Sequence, residues 1–253
     1  MHLPTACNRP CLHLMATIIL TLSMVFFCLP QQGWATKVYS PIVSGGELEL
    51  EFQNDFILDA DPVKNGTSKH QLELAYAVTD RWQMGLYGVF EKKPGQSLSY
   101  TQTKWANVFQ VFEQGEHWVD TGLYLEYIKP AAAQQKPDVL ECKLLLETPV
   151  GASVHTLNII VVKPLGQTTQ GTTWEYAWRS LWKINPDFQP AIEAYGAMGR
   201  IGTISTPSGQ NHLLGPVIRG KMFDDFKYDV GYLFGLTKGS VNGLIKLNFD
   251  YEF

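Results

Sequence analysis

Alternation of apolar and polar side chains with a period of two residues runs through most of this chain and limits its possible folds. In residues 47–52 carboxylates alternate with apolar groups in the order ELELEF, and residues 71–76 repeat the pattern as QLELAY. Successive side chains on a β-strand point to opposite faces, so each stretch has one apolar and one polar face. An amphipathic helix would instead repeat its apolar residues every three or four positions. We therefore predict an all-β fold.

Twelve stretches of the chain carry strand signals, and their spacing predicts one architecture. About 18 residues are available for each strand with its connection, whereas a tilted membrane-spanning strand takes about 9–11 residues. Two stretches are weakly patterned because Asn107 and His155 fall in otherwise apolar frames. The predicted fold is a closed, antiparallel, up-and-down transmembrane β-barrel of about twelve strands. The strands are predicted at 46–56, 69–79, 81–91, 100–112, 117–129, 138–148, 152–163, 172–184, 187–198, 211–222, 226–236 and 241–253.

The predicted connections alternate between short and long along the chain. Short turns are expected near 79–81, 113–116, 148–151, 185–186 and 224–225. Longer loops are expected near 57–68, 92–99, 130–137, 164–171 and 199–210. The last hairpin, at 237–240, departs from this alternation. Short turns at one rim and long loops at the other are typical of outer-membrane barrels.

The first 35 residues have the order of an export signal. Arg9 precedes an apolar stretch at 15–29, and small residues follow it. A basic region, a short apolar core and a small-residue cleavage site are the parts of a secretory signal peptide. The apolar core is short for a membrane-spanning helix, although an uncleaved anchor or a lipid-anchored Cys28 stays open as an alternative. We predict that this segment is cleaved, which leaves a single barrel domain at 36–253.

Composition excludes several classes of function. Apolar residues make up 45% of the chain and charged residues 17%, which rules out intrinsic disorder. The formal net charge is -4, so there is no basic excess for binding nucleic acid. Only Cys142 of the four cysteines lies beyond residue 35, so the mature chain has no pair for an intrachain disulfide. No apolar run beyond that residue approaches the roughly 18 positions that a membrane helix needs.

The end of the chain carries the most specific feature of the sequence. One face of the last predicted strand is apolar, and the chain ends on an aromatic residue. This pattern resembles the closing strand of Gram-negative outer-membrane barrel proteins, in which the barrel assembly machinery reads the terminal aromatic residue. The resemblance implies an outer-membrane location, lipid and lipopolysaccharide as partners, and a monomer. The predicted lipid-facing residues are Ile245, Leu247, Phe249, Tyr251 and Phe253.

A second resemblance concerns one predicted hairpin. Residues 76–84, with the sequence YAVTDRWQM, are similar to a hairpin of poorly characterised bacterial outer-membrane proteins. Some of those proteins are labelled as transporters for aromatic degradation pathways. The similarity covers this hairpin and otherwise only the rhythm of the strands, so it favours the barrel more than any substrate.

Charged residues occupy the polar frame of the predicted strands and therefore point to the lumen. A twelve-stranded barrel is wide enough for a modest channel, although inward side chains or a loop can fill it. Interleaved acids and bases can line a wet pore or form a nearly closed, salt-bridged core. The predicted function is a passive channel or facilitator for a small molecule, and one alternative is a closed structural or adhesive barrel that acts through its loops. The pore-lining candidates are Glu49, Glu51, Glu73, Glu126, Glu141, Lys143, Glu175 and Arg179.

A further alternative is an outer-membrane hydrolase. Ser208 and His212 lie in one short stretch and could supply the nucleophile and the base that acyl transfer needs. Both lie in or beside a loop rich in Gly, Ser and Pro, where such residues commonly form turns, so an enzyme is not the predicted function. The histidines of the mature chain are far apart in sequence, and the mature chain has no pair of cysteines to act as ligands. No metal site and no cofactor are therefore predicted.

Overall fold

The structure is a computed structural model that describes residues 36–166, 168, 170–223 and 225–253. The predicted signal peptide lies outside these residues. No helix within the described ranges is long and apolar enough to cross a membrane. Helical structure in those ranges consists of two short 3-10 turns, Ala132–Gln134 and Pro207–Gly209.

The described chain consists almost entirely of antiparallel strands joined by turns and loops. All twelve predicted strands are present, and a two-residue strand, β10, is added to them. The strands are β1 (Leu48–Leu58), β2 (Ser68–Thr79), β3 (Trp82–Lys92), β4 (Ser99–Gln110), β5 (Asp120–Pro130), β6 (Val139–Val150), β7 (Ser153–Pro164), β8 (Thr173–Trp182), β9 (Gln189–Arg200), β10 (Thr203–Ile204), β11 (Asn211–Phe223), β12 (Phe226–Gly235) and β13 (Gly243–Glu252).

Twelve of these strands close into one barrel. Each of the twelve strands pairs with the next one along the chain. The two-residue β10 lies outside this order, because it pairs only with the end of β9, while β9 pairs with β11. The last strand pairs back to the first over ten residue pairs, with Phe249 opposite Phe52. The predicted fold class, the strand number and the pairing of the last strand with the first are confirmed.

Hydrogen bonds explain the two strands with weak sequence patterns. Asn107 on β4 accepts a hydrogen bond from the indole N–H of Trp82 at 3.1 Å. The His155 ring on β7 lies between the hydroxyls of Ser153 and Ser180, at 3.0 and 2.6 Å. A polar group away from water is tolerated when it has a hydrogen-bond partner. Both polar residues can therefore occupy an outward, otherwise apolar frame.

The loop lengths agree only in part with the predicted alternation. Two-residue turns follow β2 and β6, as predicted. The prediction of a tight turn after β4 is wrong, because that connection spans residues 111–119. It folds back on itself, since Gly115 takes a φ of 77° and its amide donates to Asp120 Oδ1 at 2.7 Å. The last hairpin connection, residues 236–242, lies on the rim of the longer loops and does not break the alternation.

The two faces of the wall differ in chemistry. Large apolar side chains such as Leu72, Leu74 and Leu86 are exposed on the outside, while the alternate residues are buried towards the lumen. On β13 the predicted outward residues Ile245 to Phe253 alternate with buried Lys246 and its inward neighbours. An apolar exterior with a polar interior is the inverse of a soluble sheet protein and fits a barrel surrounded by lipid.

Deletion of Phe253 is expected to reduce assembly in cells more than stability. The Phe253 side chain is exposed, its ring stacks edge-on against Tyr251, and its amide donates to the Leu48 carbonyl at 2.9 Å. Losing it should cost less than the roughly 1.5–3 kcal/mol of a fully buried aromatic residue. Refolding yield in detergent should stay near normal, whereas the amount inserted in cells should fall strongly. Equal losses in both assays would make the residue structural.

Candidate functional site

A separate piece of chain, residues 36–43, lies inside the barrel and is named the lumen segment. The Thr36 hydroxyl donates a hydrogen bond to Asp55 Oδ2, in the second half of β1, at 2.7 Å. Further along the chain, the Gly46 amide donates to the Ala77 carbonyl at the end of β2, at 2.8 Å. The segment therefore runs antiparallel to β1, from deep in the lumen to the rim that carries the β2–β3 turn.

Side-chain amides on distant strands hold the backbone of the lumen segment. The Tyr39 amide donates to Asn158 Oδ1 on β7 at 2.7 Å, and Asn158 Nδ2 donates to the Tyr39 carbonyl at 2.8 Å. The Val43 amide donates to Gln110 Oε1 on β4 at 2.9 Å. Buried backbone groups need such partners when no strand pairs with them. The segment is thus attached to the wall at β1, β4 and β7.

Apolar contacts fill the space around the lumen segment. Val38 packs into a buried cluster formed mainly by β7 to β13, and Val43 packs into a second cluster formed by β2 to β6. Gly122 on β5 makes room for Pro41, because a Cβ at position 122 would lie 2.8 Å from Pro41 Cβ. The middle of the lumen is therefore occupied by the segment and the side chains around it.

Lys37 gives the lumen segment its charge. Its ammonium forms an ion pair with Glu51 and lies 5.0 Å from the centroid of the Tyr39 ring. Lys37 therefore brings its ammonium to the predicted pore-lining residue Glu51.

Charged side chains from β8, β9, β11, β12 and β13 form one buried set of ion pairs, named the Lys246 network. Lys246 Nζ lies 2.7 Å from Glu193 Oε2 and 3.1 Å from Asp229 Oδ2, and it donates to the Tyr195 hydroxyl oxygen at 3.2 Å. Three acceptors match the three protons of an ammonium, and Lys246 is 0% exposed. Two arginines complete the network: Arg179 lies 3.8 Å from Glu193, and Arg219 lies 3.3 Å from Asp229.

A second charged cluster, on β5 and β6, contacts the lumen segment directly. Lys143 Nζ lies 2.9 Å from Glu141 Oε1. The same ammonium lies 4.1 Å from the centroid of the Tyr39 ring and 4.2 Å from that of Tyr124. A cation between two aromatic rings away from water is held more strongly than at an exposed site. Lys143 therefore links the lumen segment to the wall.

The predicted pore-lining residues all lie on the inward frame of their strands, but most are engaged in contacts. Glu126 pairs with Lys104 at 3.2 Å. The Glu73 carboxylate lies over Gly85, where a Cβ would meet its Oε1. Glu49 lies near the rim and is half-buried. Glu175 is buried, and within the described residues no ion pair reaches it.

The centre of the Lys246 network is absent from the predicted pore-lining set. Alternation along β13 places Lys246 inward, so the sequence carried a signal for its orientation. Its partners Glu193 and Asp229 lie on strands β9 and β12, which are 53 and 17 positions away in sequence. Their meeting depends on the curvature of the closed barrel, which no local pattern encodes.

The structure does not join Ser208 to His212. The two ring nitrogens of His212 contact the Tyr176 hydroxyl at 3.1 Å and Gln210 Oε1 at 2.8 Å. Ser208 is exposed in a 3-10 turn, and its hydroxyl lies 3.4 Å from that of Thr206. Within the described part of the chain, no group of three His, Cys, Asp or Glu side chains could hold a metal ion.

The solved structures that resemble this chain include outer-membrane barrels. The KdgM porin in complex with disordered oligogalacturonate matches 81% of this chain and 99% of its own, with a TM-score of 0.58 and 8% identity. The translocator domain of autotransporter NalP from Neisseria meningitidis matches 96% of each chain, with a TM-score of 0.46 and 10% identity. Outer membrane phospholipase A from Escherichia coli matches 83% of this chain and 98% of its own, with a TM-score of 0.43 and 11% identity.

The chain has the fold of an outer-membrane β-barrel. No protein-family model and no curated protein matches it. At 8% identity, the likeness to the KdgM porin shows the fold alone. The comparisons give no sequence-level support to the resemblance of residues 76–84 to transporters of aromatic degradation pathways.

Proposed function

We propose that this protein is an outer-membrane channel or facilitator for a small polar solute, and that the lumen segment obstructs its path. One observation carries the proposal: a separate piece of chain, rather than the wall alone, fills the middle of the lumen. A wall that had to be closed permanently could do so with its own inward side chains. A segment attached by individual contacts can move and leave the wall intact.

The attachments of the lumen segment are of a kind that can be exchanged. Its backbone is held by the side-chain amides of Asn158 and Gln110, and its Lys37 and Tyr39 side chains contact charged groups. A polar solute or water that enters the lumen offers the same hydrogen bonds. Passage therefore needs a rearrangement of these contacts and no change in the barrel.

The charges along the path suit a small polar solute of either sign. Acidic and basic side chains lie next to each other on the inner wall in the Lys246 network and in the Lys143 cluster. Charged side chains of both signs at the inner wall favour small polar molecules over large apolar ones. The porin fold of the KdgM structure supports a role in passage, while the solute that its title names belongs to that protein.

Single-channel conductance in planar bilayers tests the proposal. The natural chain is expected to show rare openings. Tyr39→Ala is expected to open at least about tenfold more often, because the lumen segment loses its ring contact with Lys143. The variant also loses the hydroxyl of Tyr39, which lies 3.2 Å from that of Tyr87. Tyr76→Ala removes an outward tyrosine of the same size and should leave conductance unchanged. Both variants must show heat-modifiable migration on gels, which reports a folded barrel.

The same recordings, together with an assay of lipid hydrolysis, separate the proposal from its two alternatives. If the natural chain and Tyr39→Ala both carry no current, the barrel is closed and acts through its loops. If lipid hydrolysis is found and is lost in Ser208→Ala, the hydrolase alternative gains support.

The proposal also places the protein in the outer membrane as a monomer that contacts lipid and lipopolysaccharide and is inserted by the barrel assembly machinery. The apolar exterior and the aromatic end of β13 support this location. Cell fractionation is expected to recover the protein in the outer membrane with heat-modifiable migration. Recovery only from the soluble periplasm would contradict it.

A further inference from the structure

Three polar side chains on the outside of β1 and β2 form a hydrogen-bonded series. Ser68 Oγ lies 3.0 Å from His70 Nε2, and His70 Nδ1 lies 2.5 Å from Asn54 Oδ1. The alternate residues Phe52 and Leu72 in the same frames are exposed, so the series is on the outer face of the wall. A hydroxyl, an imidazole and an orienting oxygen in this order are the parts of a serine nucleophile with its base.

The direction of the hydrogen bonds allows His70 to act as a base. Asn54 Nδ2 donates to the Leu247 carbonyl at 3.2 Å, which leaves Asn54 Oδ1 facing the imidazole. An amide oxygen only accepts hydrogen bonds, so His70 Nδ1 must carry the ring proton. Nε2 is then the accepting nitrogen, and the Ser68 hydroxyl donates to it. Among the described residues, Ser68 has no second acceptor that could take its proton instead.

A similar group elsewhere on the outer face has the opposite direction. Ser153 and His155 are also two residues apart on one strand, with Oγ 3.0 Å from Nε2. The single hydroxyl proton of Ser153 is donated to the Val150 carbonyl at 2.9 Å, so Ser153 accepts from His155. His155 therefore cannot take a proton from Ser153. The Ser153 pair therefore differs from the Ser68 pair in the partner that takes the hydroxyl proton.

The series lies where the barrel meets the boundary of the membrane. Ser68 begins β2 directly after the loop at 59–67, on the rim of the longer loops. The His70 ring lies between two aromatic rings, with centroid distances of 6.3 Å to Phe52 and 5.7 Å to Phe56. Aromatic residues favour the level of the lipid headgroups, where ester bonds of membrane lipids are found. Ser68 is 5% exposed, and Phe56 lies opposite it in the β1–β2 ladder, so access of an ester to Ser68 requires the neighbouring side chains to move.

We propose that Ser68 and His70 are the nucleophile and base of a second site, which hydrolyses the acyl ester of a membrane lipid, with Asn54 as the positioning residue. Ser68 Oγ attacks the ester carbonyl carbon while its proton passes to His70 Nε2. The C–O bond to the alcohol breaks, and the leaving oxygen takes that proton. Water then attacks the acyl-serine, again giving a proton to His70, which returns it to Ser68 as the fatty acid leaves. The site is on the opposite face of the wall from the lumen, so it does not depend on solute passage.

The first test is covalent labelling of the full chain in detergent micelles. An alkyl fluorophosphonate probe is expected to label Ser68, as located by peptide mass spectrometry, with a rate that Ser68→Ala abolishes. His70→Gln should lower the rate by roughly 10²–10⁴-fold, which is the contribution of a positioned base. Ser153→Ala is the matched control and should label at the natural rate. A folded barrel is verified for every variant by its heat-modifiable migration.

The second test separates positioning by Asn54 from a structural role. Asn54→Leu should slow labelling and move its pH profile, because the imidazole loses the oxygen that fixes its tautomer, and Asn54→Asp should restore the rate. In mixed micelles, a phospholipid with a labelled ester-linked acyl chain should release fatty acid, whereas its ether-linked analogue should not. Absence of labelling, or labelling that Ser68→Ala and His70→Gln leave unchanged, overturns the proposal without affecting the conductance of the lumen.

Discussion

Replacing Lys246 by methionine should lower the free energy of unfolding by about 1–3 kcal/mol, because two buried carboxylates lose a hydrogen-bond donor while Arg179 and Arg219 still balance their charge. Lys246 is buried and donates hydrogen bonds to three acceptors at 2.7–3.2 Å, and the variant removes this donor from Glu193 and Asp229. Methionine fills a similar volume, so the loss comes from charge and hydrogen bonding. Urea titration of the protein refolded in detergent measures the effect.

A lysine at the rim provides the matched control for Lys246. Lys227 pairs with Glu252, and both side chains are partly exposed. Exposed pairs contribute only about 0–1 kcal/mol, so Lys227→Met should be nearly neutral. Equal effects of the two methionine variants would show that the Lys246 network does not stabilise the fold.

Gly215→Ala should destabilise the barrel by about 1–3 kcal/mol, because a methyl group has no space at this position. A Cβ on Gly215 would lie 1.8 Å from the Tyr232 carbonyl oxygen and 2.9 Å from Leu233 Cα. Both are backbone atoms of β12, so relief requires the two strands to separate. The midpoint of urea unfolding should therefore fall.

Gly88→Ala is the matched control for Gly215→Ala. Gly88 lies on β3, and its Cβ would meet Phe90 Cε2 at the ordinary contact distance of 3.6 Å. This variant should keep the natural midpoint or raise it slightly, since alanine restricts the unfolded chain. A loss as large as that of Gly215→Ala would show that backbone entropy, rather than the close approach of two strands, decides both.

The strands and the closed fold follow from the sequence because each depends on local alternation. Even the polar exceptions keep the period of two, as Asn107 shows by bonding to Trp82 on the neighbouring strand. The length of the loop at 111–119 could not be predicted from alternation, because it depends on where the β4–β5 ladder stops. The hydrogen bond from Gly115 to Asp120 that closes this loop is not a strand signal.

The interior and the outer-face site could not be predicted in the same way. Residues 36–43 carry no alternation that assigns them to the lumen, and their partner Asn158 is 119 positions away. Ser68 and His70 are two residues apart, which is visible in the sequence. Their connection to Asn54 depends on the β1–β2 register, in which Asn54 lies opposite His70. A shift of one residue would turn these side chains to the other face.

The position of the lumen segment favours one order of events during assembly. The segment directly precedes β1, the strand that β13 must meet to complete the wall. Its contacts reach Asn158 on β7 and Tyr195 on β9, which belong to the far side of the same wall. Entry of the whole segment into a completed cylinder would have to displace a packed interior, so we expect the sheet to wrap around the segment before the seam closes. Amide hydrogens of the lumen segment and of the β1–β13 ladder should therefore become protected from exchange together during refolding.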